Sequence, residues 1–460
     1  MSEPSRETRR GVVFVSRRAT GEALRSAAAV GRLEGVRLLG IFESEPQGDA
    51  GLVFADAACV EDVHDAGRLV AAARSLAERH GPLSRIVTAQ ETLLEPVALA
   101  REALGIEGMS AETVRRALDK PSLKRALARA GIETARDSLV TRDDDARAFA
   151  ARVGFPVVLK PLKGSGGLAT WRVRDAEQLA LALDLLRPSA DNAVLAEEYL
   201  RGEELCLDTI TIADEPRFHT LCRYRPSILE ALEDSAAQWA CVMPRDIAGE
   251  RYGDFIEQGL KAVRALSVGD AVTHMEGFIL EDGGVRFTDA TLRPAGARIG
   301  PMLAFACDID AHFAWARAAV DGRFDGPWER LYSVGSVFLR GAGGGVVESV
   351  RGLESVRREV GGLIVDARPP RVGERKSSTY TGEGYFTVRH RETRAVEDAL
   401  RLIARTVRIT YSGPEPDGRE SERAGAEWPH RLRHFDEHLN RPAWEDDHAT
   451  ATLKDGEEQA

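Results

Sequence analysis

The sequence predicts an α/β and α+β multidomain protein, on three observations. At 460 residues the chain exceeds what one hydrophobic core serves, so several domains are expected. Residues 11–110 alternate short apolar runs with helical patterns, an alternation that builds a small parallel α/β layer. Beyond residue 110 strands, helices and glycine-rich turns mix, and from about 331 to 411 short β-like runs take over.

Taken in order, residues 1–10 are polar and expected to be flexible. "GVVFVS", "VRLLGIF", "LVFADAACV" (Leu52–Val60) and "RIVTAQ" (Arg85–Gln90) read as strands. "GEALRSAAAVGRL", "AGRLVAAARSLAERHG" and "LLEPVALAREALG" place apolar residues at helical spacing and end at or near glycine. Two helices follow, Ser110–Leu118 and Pro121–Ala130. Asp119 can cap the second, Pro121 suits its first turn and Gly131 closes it. The body from 111 to 330 is α+β. Residues 331–411 carry "YSVGSVFLRG", "GLIVDAR" and "GYFTVRH" with one helix, "ETRAVEDALRLIARTV". From Ser412 the pattern lapses, and 412–460 reads as a polar, mobile tail.

Composition removes several function classes. Hydrophobic content is 43%, and no apolar run approaches membrane-spanning length. Only six residues separate Arg9-Arg10 from Arg17-Arg18, too few for the apolar region of a secretory signal. Five scattered cysteines without a CxxC fit a reduced, cytoplasmic protein and argue against zinc. The net charge of −11, from 62 basic and 73 acidic residues, disfavours nucleic-acid binding. "VSRRATGEAL" after the first strand lacks GxGxxG, so no NAD site is expected there.

Three stretches carry chemistry. In "FPVVLKPLKGSGGLATWRV", Phe155–Leu159 reads as a buried strand ending at Lys160, followed by Gly164, Ser165, Gly166 and Gly167. Glycine-rich backbone can approach phosphate oxygens, with a lysine supplying charge. Alone, the pattern fits a flexible hairpin beside a surface lysine equally well. In "AVLAEEYLRGEEL" a strand ends at Glu197-Glu198-Tyr199-Leu200, and Glu204 follows a turn. Backbone leaving a sheet can read an adenine edge, and a carboxylate can accept from ribose hydroxyls; solvated glutamates are the plainer reading. In "HMEGFILEDGGVRFTDATLRPAG", strands Met275–Leu280 and Val285–Ala290 around Asp282-Gly283-Gly284 bring Glu276 near Asp289, with Arg293 beyond. That is a metal and phosphate site or a salt-bridged surface.

Order decides among these. "LDKPSLKRALARAGIETA", "FPVVLKPLKGSGG", "LAEEYLRGEEL" and "HMEGFI…VRFTDATLRPAG" come in the sequence seen in the ATP-grasp superfamily. Over roughly residues 11–411 the chain resembles its carboxylate–amine ligase branch, including the L-amino acid ligases. The resemblance implies a Rossmann-like pre-ATP-grasp domain (11–110), an ATP-grasp domain (111–330, with a lid subdomain at about 135–200) and a β-rich C-terminal domain (331–411). It implies that Lys120 and Lys160 contact ATP phosphates and that Gly164–Gly167 fold over them. Glu197, the Glu198 backbone and Leu200 match the adenine hinge, and Glu204 the ribose carboxylate. Glu276 and Asp289 match ligands of Mg2+, two ions, with Mn2+ as an alternative. Arg293 matches the catalytic arginine that steadies the acyl phosphate or the substrate carboxylate, with Gly296 leaving room for substrate. The activity implied is ATP-dependent joining of a small carboxylate to an amine, without nucleic-acid or membrane partners; dimers are common among such ligases.

The final motif departs from the usual Glu-x-Asn-x-Arg, reading Asp289-Ala-Thr291-Leu-Arg293. Thr291 offers a hydroxyl where an amide is expected, so the second metal is expected to be held partly through water. His274 and Arg298 are candidates for substrate contact; a structural histidine and a surface ion pair are their plainer readings. The loop "PAGARI" stands where biotin carboxylases continue with Gln-Val-Glu-His, which argues against carboxylation. A formate- or purine-pathway ligase and a nucleotide-binding member without turnover are the rival functions. "GAGGGVVES" (Gly341–Ser349) is expected to be a hairpin turn. His430, His434 and His438 are expected on a solvated tail helix, with metal binding the minor alternative.

Overall fold

The computed structural model describes residues 9–162 and 170–414. The first sheet is parallel. Its strands β1 (Arg10–Val15), β2 (Val36–Phe42), β3 (Asp56–Cys59) and β4 (Leu83–Val87) lie in the order β3-β2-β1-β4. Helices α1 (Gly21–Gly31), α2 (Ala66–His80) and α3 (Leu94–Leu104) connect them. The first two strands are nearly continuous apolar runs because helices cover both faces of a parallel sheet.

Two sequence expectations change here. Leu52–Val60 is not one strand: Gly48–Val53 makes a 3₁₀ turn, with Gly48 at φ 56°, and Leu52 is 84% exposed. Pairing with β2 starts only at Ala55, whose N–H reaches the Leu38 carbonyl at 2.8 Å. Arg85–Gln90 is likewise shorter as a strand. It leaves the sheet after Val87, where Gln90 turns its side chain back to the end of β1.

Helices α4 (Ala111–Leu118) and α5 (Lys120–Arg129) follow the predicted caps. The Ser110 hydroxyl accepts from the Thr113 N–H and the Asp119 carboxylate from the Ser122 N–H, at 3.1 and 3.0 Å. Val114, Ala117, Leu123 and Leu127 pack into the core that holds Phe255 and Phe287.

A small antiparallel sheet comes next, order β5-β8-β6-β7, from β5 (Asp137–Val140), β6 (Val157–Pro161), β7 (Trp171–Val173) and β8 (Val194–Glu198). Helices α6 (Asp143–Val153) and α7 (Ala176–Leu186) close its core around Phe149, Leu159 and Leu183. The strand expected from Phe155 starts at Val157. Pro156 has no N–H to donate to a ladder, and Phe155 is 40% exposed.

The remaining long strands share one eight-stranded sheet, order β13-β12-β9-β10-β11-β14-β17-β16. They are β9 (Gly202–Ile212), β10 (Glu215–Arg225), β11 (Trp239–Met243), β12 (Ala271–Leu280), β13 (Val285–Thr291), β14 (Ser333–Leu339), then, past β15 (Gly344–Arg351), β16 (Ile364–Arg368) and β17 (Gly384–His390). The sheet therefore runs unbroken past residue 330. Helices α8 (Ile228–Glu233), α9 (Glu250–Leu266), α10 (Ile299–Cys307), α11 (Ala311–Ala316), α12 (Leu353–Val360) and α13 (Thr393–Thr406) complete the fold. The helix α12 was not expected, because only its Val356 is fully buried and so its apolar signal is thin.

Gly341–Ser349 is not a hairpin turn. It leads into and forms most of β15, which pairs antiparallel with β18 (Arg408–Gly413), so the final strand also passes Ser412. Glycine is needed at positions 343 and 345, whose φ angles are 122° and 85°. His430, His434, His438 and nearly all of the expected tail lie outside the described residues, as do Gly164, Ser165, Gly166 and Gly167. Among the described residues no helix is long and apolar enough to cross a membrane.

Candidate functional site

Glu276 and Asp289 stand opposite each other on β12 and β13. From the observed pairing of Ile279 with Val285, an unbulged ladder would set Glu276 opposite Thr288. β13 carries one extra residue at Thr288, so the register passes from Gly277–Phe287 directly to Glu276–Asp289. Val285 and Phe287 face the core; after the bulge Ala290 takes the core face, and Asp289 and Thr291 turn to the opposite one. Gly277 permits this, since a Cβ there would lie 2.6 Å from the Arg286 carbonyl oxygen.

The lysines arrive from two directions. Lys120 opens α5 and is buried with its Nζ 3.0 Å from Asp289 Oδ2. Lys160, at the end of β6, lies 2.7 Å from Glu197 Oε2. Lys124, one turn after Lys120, lies 2.8 Å from Glu197 Oε1 and donates to the Ala135 carbonyl at 2.7 Å. Burial alone would raise the Glu197 pKa, but the charges of Lys160 and Lys124 hold it below the usual carboxylate range. Its carboxylate is thus committed to two lysines. Lys124 escaped the sequence reading, although its i+4 spacing from Lys120 places both on one helix face.

Further along the same face of the large sheet, Glu204 accepts the Ile228 N–H at 2.7 Å. Burial and the nearby Glu276 push its pKa up to about 8. His274 Nδ1 lies 2.9 Å from Asp208 Oδ1 and its Nε2 3.2 Å from Glu276 Oε1. Burial would lower the imidazole pKa, but the Asp208 carboxylate and then Cys206 outweigh it and hold the ring protonated, well above its ordinary range. Burial would likewise raise Glu276; the His274 hydrogen bond and charge, then Lys120 and Lys160, hold it low. Asp208 was not expected, yet the period-2 run Glu204, Cys206, Asp208 on β9 puts it on the site face.

Two clefts meet on the paired acids. One is lined by Lys120, Val158, Lys160, Glu197, Glu198, Leu200, Glu204, Ile228 and Phe278, and ends at Glu276 and Asp289. The other is lined by Glu22, Glu91, His274, Thr291, Arg293, Gly296, His312, Trp315 and Tyr380, and reaches the same two acids. Arg298 joins neither: it is ion-paired with Asp366 and stacks over the Tyr385 ring, 3.9 Å from its centroid. Glu22, Glu91 and His312 were also missed. They come from distant stretches of chain that the fold brings together, and no local motif marks them.

One atom tests whether a metal fits. Thr291 Oγ1 is buried and has no hydrogen-bond partner among the described residues. With two carboxylates beside it, this all-oxygen set suits a hard divalent cation such as Mg2+. The residues present fit such an ion.

A family model, that of the carbamoyl-phosphate synthase L chain ATP binding domain, matches residues 119–205, the stretch holding both lysine positions and the hinge. Among solved structures, an L-amino acid ligase from Bacillus licheniformis superposes with a TM-score of 0.70 at 17% identity, covering 88% of this chain and 99% of that one. The chain carries the ATP-grasp fold. A phosphoribosylglycinamide synthetase from Anaerococcus prevotii shares this ATP-grasp architecture, with a TM-score of 0.64, 12% identity and coverage of 88% and 100%. Two curated relatives come from Bacillus subtilis. An L-arginine-specific L-amino acid ligase is 23% identical over 231 residues, 48% of this chain and 54% of its own. An alanine–anticapsin ligase is 22% identical over 242 residues, 49% of this chain and 51% of its own. The chain thus spans about half the length of the curated relatives it matches.

Proposed function

We propose that the protein is an ATP-dependent ligase that joins a carboxylate, an amino acid, to an amine through an acyl phosphate, giving an amide or dipeptide with ADP and phosphate. The observation that carries this reading is the meeting of two clefts on one pair of acids. A nucleotide with its phosphates toward Lys120 and Lys160 points its terminal phosphorus at Glu276 and Asp289, and a carboxylate held by Arg293 approaches those acids from the other side.

Within that reading, Leu200 and the Glu198 backbone face the adenine and Glu204 accepts from the ribose. Glu197 orients Lys160 and does not itself touch the base, because both its oxygens are ion-paired. The substrate carboxylate oxygen attacks the terminal phosphorus and ADP departs; the amine nitrogen then attacks the acyl carbon and phosphate leaves. Arg293 offers a planar fork that matches carboxylate or phosphate oxygens. Glu276, Asp289 and Thr291 would hold Mg2+, two ions with Mn2+ as the substitute, which when bound neutralises triphosphate charge. Positioning and charge compensation are the main demands of phosphoryl transfer, and these residues supply both.

The test is ADP formation by the purified full chain with ATP, Mg2+ and pooled amino acids, with products weighed by mass spectrometry. Amino-acid-dependent ADP release with a condensed product is the expected result. ADP release that no acid or amine stimulates would overturn the proposal.

A further inference from the structure

Arg293 is held from outside its own sheet. Its Nη2 donates to Oε2 of Glu91 at 3.0 Å, and its Nη1 to the Pro294 carbonyl at 2.7 Å. The two side chains are only 13% and 15% exposed. Glu91 belongs to the short turn Glu91–Leu93 that follows β4 in the first, parallel sheet. That turn is firmly mounted. Buried Gln90 accepts from the Ser16 hydroxyl and the Arg17 N–H through Oε1, both at 3.0 Å, tying the end of β4 to the end of β1. The Gln90 N–H donates to Thr88 Oγ1 at 3.1 Å, and Leu93 is fully buried.

The anchor follows β4 of the parallel sheet and the arginine follows β13 of the eight-stranded sheet, and both line the cleft beyond Glu276 and Asp289. A guanidinium presents its N–H donors in one rigid plane. With one donor of Nη2 given to Glu91 and one of Nη1 to Pro294, the plane is set, and among the described residues the other donors are left for a ligand. Without Glu91 the long side chain regains its rotamers, and the plane is lost.

We infer that Glu91 is a positioning residue that fixes the Arg293 guanidinium for the carboxylate substrate and the acyl phosphate. This rests on the ligase reading above, and goes beyond it by giving the first sheet a part in the chemistry. The fork arrives already aimed, so substrate binding does not have to order it. Arg293 keeps one carboxylate partner when the cleft is empty and gains a second when it is filled.

The test uses the full chain with Glu91→Gln, which keeps shape and an acceptor but removes the charge, and Glu91→Asp, which keeps the charge. With the amino acids that give most ADP in the pooled assay, Glu91→Gln is expected to lower kcat about a hundredfold and leave the ATP dissociation constant within about twofold. Glu91→Asp should recover about a tenth or more of the rate. Turnover of Glu91→Gln within about threefold of the parent, or parallel loss of ATP binding, turnover and thermal stability, would overturn the inference. A second measurement does not need turnover: side-chain 15N spectra, with the Arg293 signal assigned through Arg293→Lys. Slow guanidinium rotation in the parent that becomes fast in Glu91→Gln supports positioning; unchanged rotation refutes it. If the parent forms no ADP with any amino acid, the ligase reading fails, while the spectra still decide the role of Glu91.

Discussion

Replacing Glu197 by Gln removes one charge from between two buried lysines. Its oxygens lie 2.8 Å from Lys124 Nζ and 2.7 Å from Lys160 Nζ. Removing one partner of a buried ion pair costs about 3–5 kcal/mol, because the other charge is left uncompensated. Deprotonation limits the loss: neutralising a lysine at pH 7 from its ordinary pKa costs about 5 kcal/mol, so the variant cannot lose more than that per lysine. Lys124 keeps the Ala135 carbonyl at 2.7 Å and Asp137 at 3.7 Å, so Lys160 carries most of the effect. A loss of about 3–5 kcal/mol at pH 7 is therefore expected for Glu197→Gln, and about 1–3 kcal/mol for Lys124→Met, which leaves Glu197 paired with Lys160. The sign with pH follows from the lowered Glu197 pKa. The stability it contributes is complete above the ordinary glutamate value and is lost as pH falls through the lowered one, so parent and variant should converge in acid. Urea unfolding at several pH values, with midpoint and slope both fitted, measures this. A Glu197→Gln variant within about 1 kcal/mol of the parent at pH 7 would refute the charge bookkeeping.

Other expectations concern the acids and the hydroxyl between them. Asp289→Asn should reduce ADP formation by about a hundredfold and weaken nucleotide binding only when Mg2+ is present, as read by titration with and without the metal. Thr291→Asn puts an amide oxygen where a buried hydroxyl has no partner among the described residues, and should lower the Mg2+ concentration needed for half-maximal activity by about tenfold. Glu204→Gln should flatten a pH dependence of stability. Because the folded pKa is raised to about 8, the folded state keeps a proton that the unfolded chain has released, so the parent loses stability as pH rises from the ordinary glutamate value toward 8. Melting temperatures across pH 5–8 without nucleotide should fall in the parent and less in the variant.

Much of the site was legible because its parts are local. Asp119 and Pro121 announce the start of α5 and so place Lys120 at its N-terminus. The apolar run before Lys160 and the one before Glu197 are strands that carry these charged residues in their last positions. Residues without such neighbours went unread. Arg298 could be read as a ligand contact or as half of a surface ion pair, and its partner, Asp366, lies 68 residues away. Glu91 and Arg293, 202 residues apart, meet only because the turn after β4 comes against the segment that follows β13.

The hairpin of β12 and β13 shows where the division falls. Sequence by itself determined that two short strands turn at Asp282-Gly283-Gly284 and that acids lie on both, since turn chemistry and β-propensity are local. It could not determine which face Asp289 takes. With side chains alternating, Val285, Phe287 and Asp289 share a face in any regular strand, and burying Phe287 would bury the acid with it. Only the packed structure admits the bulge at Thr288, made possible by the bare Cα of Gly277 against the Arg286 carbonyl. That extra residue keeps Phe287 and Ala290 in the core and turns Asp289 and Thr291 toward Glu276, because the cost of burying a carboxylate outweighs the loss of one regular pair in the ladder.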